Sequence, residues 1–285
     1  MQEQIRKEFP FFVAVPALLW QIIFALVPLI LIGITSFRVL DVNGIAHWAL
    51  DNYQVIFTHA HAIILLRSLL LASATALLCL AIGYPVSYFI AVHAQRWRFV
   101  LLFLLTLPFW TNFLTLAYAW FFVLEKNGLL NKILIFCHIL SDPVIFAYNR
   151  IAVVTVMVYC FLPFIIIPLY TALEKIDKRL LEASEDLGAT AWQTFMRITV
   201  PLSVSGIKTG LLLVFIPAFG ELVIPIVMGG SQYLYVGSTI SHYLLHMHSE
   251  GIGAAFTAVS SVVLGMALFV GMLYLKSLYR TVKRG

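Results

Sequence analysis

Glu221 is a carboxylate inside an otherwise uncharged run, Leu211–Gly230, LLLVFIPAFGELVIPIVMGG. Gly220 precedes it, and Pro217 and Pro225 stand four residues to either side. An ionisable group within a bilayer is costly and faces the protein interior or a water-filled cavity. Two prolines and a glycine around it predict a broken helix, a common way to build a mid-membrane binding site. The chemistry on offer is attraction of a passing cation. The alternative is a protonated or hydrogen-bonded Glu that only joins helices. A second group is aromatic: Trp110, then Tyr118, Trp120 and Phe121. Aromatic faces attract ammonium groups by roughly 0.5–2 kcal/mol each, so these rings are candidates for lining a cation's path. The ordinary alternative is use of Trp and Tyr at the lipid interface.

The longest polar, helix-like stretch is Asp177–Pro201. Asp177 is placed to cap a short helix over Lys178–Leu187, and Gly188 supplies a left-handed stop. Thr190 and Gln193 have capping-box spacing and open a second helix. Trp192, Phe195 and Met196 fall on one face of it. The prediction is a helix, a glycine elbow and a helix, with a charged face and an apolar set. An amphipathic helix lying flat at the membrane interface is the plainer alternative.

Other chemistry finds no support. No Lys follows a Gly, so there is no Walker A loop to cradle a nucleotide. HExxH and Gly-x-Ser-x-Gly patterns are absent. His242 and His246 have helical metal-ligand spacing, but only Glu250 is near to complete a set, so interfacial histidines are expected and no metal. Cys79, Cys137 and Cys160 are an odd number with no close pair and read as small apolar residues. Gly251 and Gly253 read as small residues that let a helix pack closely.

The elements that position these groups must be membrane spans. The chain of 285 residues is 62% hydrophobic and 11% charged, with a mean hydropathy of +0.98. A spanning helix needs about 20 mostly apolar residues. Uncharged runs cover Phe9–Phe37, Ser68–Gln95, Phe99–Leu124, Ile151–Leu173 and Gly251–Leu275, and Thr209–Met228 is interrupted only by Glu221. Six spans in one membrane domain, residues 1–285, are expected. The first run is too long for the apolar region of a cleaved signal peptide and reads as a retained span. Thirteen of the 18 Lys and Arg residues fall on one side of that arrangement, with both termini and the Asp177–Pro201 stretch. The positive-inside rule makes that side cytoplasmic. This bias accounts for the net charge of +5 and leaves no basic patch for nucleic acid. Short helices are expected in the outer loops at Asp51–His59 and Leu129–Leu140.

The polar stretch has a specific spacing. Glu182-Ala183-Ser184 is followed by three residues, Gly188, nine residues, and Ile198-x-Val200-Pro201. It resembles the EAA motif of the permeases of binding-protein-dependent ABC importers, with Ser184 for the second Ala and Val200 for Leu. The segments GYPVSYFIA (83–91), LPFWTNFL (107–114), GLLN (128–131) and PLYTALEKIDKRLLEA (168–183) resemble the permeases of spermidine/putrescine importers. So does the run around Glu221. One departure is Leu116, where members of that group often carry Arg.

The resemblance implies an all-α, six-helix fold of the type I ABC importer permease kind in a bacterial inner membrane. It implies that Glu182, Ala183, Ser184, Gly188, Ile198 and Pro201 form the segment that docks on a cytoplasmic ATPase. It implies further partners: a second permease, two ATPase subunits that carry ATP and Mg, and a periplasmic polyamine-binding protein. This chain itself would be no enzyme and hold no cofactor. Ferric iron, thiamine or sulfate are alternative substrates, and Glu221 argues against the anion. An ATP-independent transporter or channel would treat the motif as chance, and it usually carries an inverted repeat that is not found here.

Overall fold

The computed structural model describes the backbone of residues 2–40, 46–230 and 234–284. Side chains are described at 15–39, 47–177, 179–230, 234–274 and 276. Among the described residues, five helices are long and apolar enough to cross a membrane, and six if one sharply bent pair counts as a single span. Two compact units emerge, Met1–Ala62 with Ile240–Val262, and Ile63–Thr239 with Val263–Gly285.

In the first unit, helix α1 (Gln2–Ser36) carries the first apolar span, Val15–Ser36. A hairpin that periodicity does not predict follows, β1 (Arg38–Leu40) paired antiparallel with β2 (Ala46–Trp48). Helix α2 (Asp51–Ile56) lies in the expected outer-loop position. Its buried Asn52 donates to the Ser36 and Arg38 carbonyls, both at 3.0 Å, so the amide ties α2 to the end of α1. Gly251 packs against the same amide and the Arg38 carbonyl, leaving no room for a Cβ. His61 joins Thr58 Oγ1 and Tyr243 Oη, each at 2.7 Å.

The second unit is built around α7 (Arg150–Glu174), thirteen of whose residues are buried. Helix α3 (His59–Val92) lies against it, with Ser87 Oγ donating to the Ile166 carbonyl at 3.2 Å. Helix α10 (Val200–Phe219) packs on α7 through Gly206 and Gly210. An added Cβ there would meet Ala172 and Ile165 atoms at 2.6 Å. Small residues let two backbones approach, and dispersion contacts then replace those with lipid. Helix α12 (Glu250–Arg284) is the last span.

Two expected spans differ from the structure. The run Phe99–Leu124 is not one helix. Helix α4 (Arg98–Thr106) tightens into a single 3-10 turn, Leu107–Trp110, and the chain turns through 94° before α5 (Phe113–Leu124). Pro108 opens the tight turn, and Asn112 accepts from the Leu114 N–H to start the new helix. The fifth span runs over Ala191–Phe219, not Thr209–Met228. It therefore begins inside the polar stretch and stops just before Glu221. Helix α6 (Leu129–Phe136) matches the second expected loop helix.

Candidate functional site

The polar stretch forms the predicted elbow. Asp177 Oδ1 accepts from the Arg179 N–H at 3.0 Å and starts α8 (Lys178–Asp186). Gly188 ends it at φ +80°. The Gly188 N–H donates to the Glu185 carbonyl and the Ala189 N–H to the Ser184 carbonyl, at 2.8 and 3.0 Å. That pair of bonds is a Schellman stop, which needs a left-handed residue at this place. Thr190 and Gln193 then form the full capping box and open α9 (Ala191–Thr194). A wide π-turn over Phe195–Thr199 links α9 to α10 without a loop. Pro201 explains the wide turn: it lacks an N–H, and its ring would crowd a carbonyl one turn back.

Inside the elbow, Ser184 Oγ and Thr194 Oγ1 lie 2.7 Å apart, both buried. The serine that stands for the motif's second alanine thus joins α8 to α9. Thr194 carries no sequence signal, because its partner is ten residues away across a turn. Phe195 turns inward, edge-on to the Tyr84 and Tyr88 rings of α3 at 5.5 and 5.7 Å. It also stacks on Trp192 with ring centroids 5.8 Å apart, so these two rings share a face as helical spacing predicts. Leu187 and Trp192 are the outward apolar pair, 88% and 66% exposed. Glu182, Ala183 and Gly188 are exposed beside them, and Ile198 and Pro201 are half-buried below.

A hydrogen bond between two buried hydroxyls contributes roughly 1 kcal/mol, and leaving one unpaired costs more. Ser184→Ala and Thr194→Val should each lower the melting temperature of the purified complex. The double variant should lose less than the two single losses combined, with a coupling of about 1 kcal/mol. Simple additivity in thermal unfolding would remove the bond from the elbow's stability.

Glu221 sits at the predicted break. Helix α10 ends at Phe219, and α11 (Val223–Gly229) starts two residues after the carboxylate. Glu221 Oε1 accepts from the Val223 N–H at 2.9 Å and the Ile224 N–H at 3.4 Å. A carboxylate at a helix N-terminus is favoured by the helix dipole. Gly237 packs on the break, where a Cβ would meet the Gly220 and Glu221 carbonyl oxygens at 2.5 and 2.7 Å.

The aromatic candidates divide. Trp120 stacks edge-on to Tyr159 of α7 at 4.9 Å. A small cavity of about 60 Å³ is lined by Thr111, Leu116, Tyr159 and Cys160. So Trp120 and Leu116 both address one short segment of α7. Phe121 is edge-on to Tyr148 at 5.7 Å. Trp110 is 77% exposed and touches Phe103, and Tyr118 is exposed.

Residues 83–284 match the family described as binding-protein-dependent transport system inner membrane component. The chain belongs to that family. It is therefore a membrane component of a transport system, with no catalytic role of its own. It is 38% identical over 253 residues to the spermidine/putrescine transport system permease protein PotB of Escherichia coli K12, across 88% of this chain and 92% of that one. The PotB protein of Haemophilus influenzae gives the same identity, across 88% of each chain. The fold is similar to that in the crystal structure of a bacterial ABC transporter involved in the import of the acidic polysaccharide alginate. There the TM-score is 0.74 at 19% identity, across 98% of both chains.

Proposed function

We propose that this chain is one permease of an ATP-driven polyamine importer. The observation that carries the reading is the 38% identity to PotB over a stretch covering most of the chain. In this reading, a periplasmic polyamine-binding protein delivers putrescine or spermidine to the outer loops. A second, homologous permease completes the pathway. Two ATPase subunits, which bind ATP and Mg, hold the elbows through Glu182, Leu187, Gly188 and Trp192. Glu221 and Trp120 meet the ammonium groups in transit. The whole chain acts as one membrane domain with both termini in the cytoplasm. Radiolabelled putrescine and spermidine uptake in cells lacking other importers tests it. Uptake should require this chain together with the ATPase, and no uptake of either polyamine by the assembled complex would sink it.

The orientation has its own test. Residues 41–45 and 231–233 of two outer loops lie outside the described residues. The third loop offers Asn131, but this side chain is buried and bonds to Glu125 and Val144. Phe136, 84% exposed, is the better probe. A cysteine at Phe136 should react with an impermeant reagent added outside, and one at Gln95 or Thr190 should not. External labelling at Thr190 would put the elbow on the wrong face for an ATPase.

A further inference from the structure

Beside the elbow lies a cleft of about 460 Å³ between the ends of α3 and α7 and one side of α8. Three carboxylates line it, Glu174, Glu182 and Glu185, with Tyr88, Gln95 and one cation, Arg98. Arg98 is paired with Glu174. Glu182 and Glu185 are one turn apart on α8, so both reach the same space. Thr199, only 2% exposed, also lines the cleft, and its hydroxyl has no hydrogen-bond partner. A buried polar group left unpaired costs free energy, and a ligand that bonds to it recovers that cost. The cleft therefore holds excess negative charge, an aromatic face and an unsatisfied hydroxyl.

The charge pattern selects the ligand. Among the described residues, no three carboxylate, His or Cys groups converge closely enough to hold a metal ion. Separated carboxylates suit separated charges on one flexible chain. We propose that this cleft binds an organic polyammonium ion from the side of the elbow, and that occupation restrains the elbow and slows transport. The proposal rests on the polyamine reading for the identity of the cation and on the inward placement of the elbow. An ion that ties α8 to α3 and α7 favours the arrangement in which the cleft is formed. By that differential affinity it opposes any state in which α8 moves away. The imported cation would thus report its own accumulation to the coupling segment.

The test uses the complete importer in proteoliposomes, with the ATPase side outward and loaded binding protein inside. Spermidine added outside should slow ATP hydrolysis. Glu185→Gln or Thr199→Val should raise the half-inhibiting concentration by at least about fivefold, as expected for losing one charge-assisted or hydroxyl contact. The uninhibited rate should stay at the wild-type level. Equilibrium dialysis of radiolabelled spermidine against the same complex without ATP should show one site per copy of this chain, weakened by both variants. Unchanged inhibition and unchanged dialysis binding in both variants would overturn the proposal. Failure of the importer to move polyamines at all would overturn the polyamine reading instead, and the dialysis would still decide whether the cleft is a site.

Discussion

Gly188→Val is expected to leave the chain inserted and assembled but to cut polyamine uptake and substrate-stimulated ATP hydrolysis by about an order of magnitude. The residue sits at φ +80°, where a β-branched side chain is strongly disfavoured. Leaving the glycine conformation costs about 1–2 kcal/mol, and each 1.4 kcal/mol is roughly tenfold in population. Nothing lies within 4 Å of an added Cβ, so the loss comes from backbone strain and not from a clash. That distinction supplies a control. Gly188→Asn should keep most of the activity, since Asn tolerates the left-handed region. Co-purification with the ATPase and stimulated hydrolysis are the measurements. Normal stimulation in the Val variant would mean that the bend does not position the docking face.

Glu221→Gln should reduce polyamine uptake several-fold while the complex still assembles. The variant keeps an oxygen that can accept from the Val223 and Ile224 N–H groups, so α11 stays capped. Only the charge is lost. A hydrogen bond to a charged group contributes roughly 1.5–3 kcal/mol, which sets the scale of the effect. Glu221→Leu removes cap and charge together and should also lower the yield of assembled complex. Trp120→Leu should give a smaller loss of uptake. Uptake at the wild-type rate in the Gln variant, with complex levels matched, would confine Glu221 to its capping role.

The features legible in the sequence are those fixed by neighbours a few residues apart. Asp177, Gly188 and the Thr190–Gln193 pair mark the elbow because caps and stops are local bonds. Gly220 and the flanking prolines mark the helix break for the same reason. What stays hidden depends on contacts far apart along the chain. Ser184 finding Thr194, Phe195 turning in to α3, and Asn131 folding under its loop have no periodic signature. The bend at Thr111–Asn112 lies between. Pro108 and Asn112 carry the signal, but a continuous apolar run outweighs them. Tyr84 and Tyr88, one helical turn apart, are readable as a cradle for an aromatic side chain. The joining of Trp120 and Leu116 at one segment of α7 leaves no trace in the sequence at all.

The close contact of Gly206 and Gly210 with α7 has a mechanical consequence. Ala191–Phe219 forms one continuous helical rod of 29 residues, about 44 Å long at 1.5 Å per residue. The two glycines touch α7 near the middle of that rod, where α10 puts no side chain of its own into the contact. A rod held at such a fulcrum turns like a seesaw. Measured from Lys208, midway between the two glycines, the elbow arm is about 25 Å and the far arm about 17 Å. A push of about 3 Å on the elbow would then swing the Glu221 end by about 2 Å in the opposite direction. A stroke delivered on one face of the membrane would open or close the chain near the other.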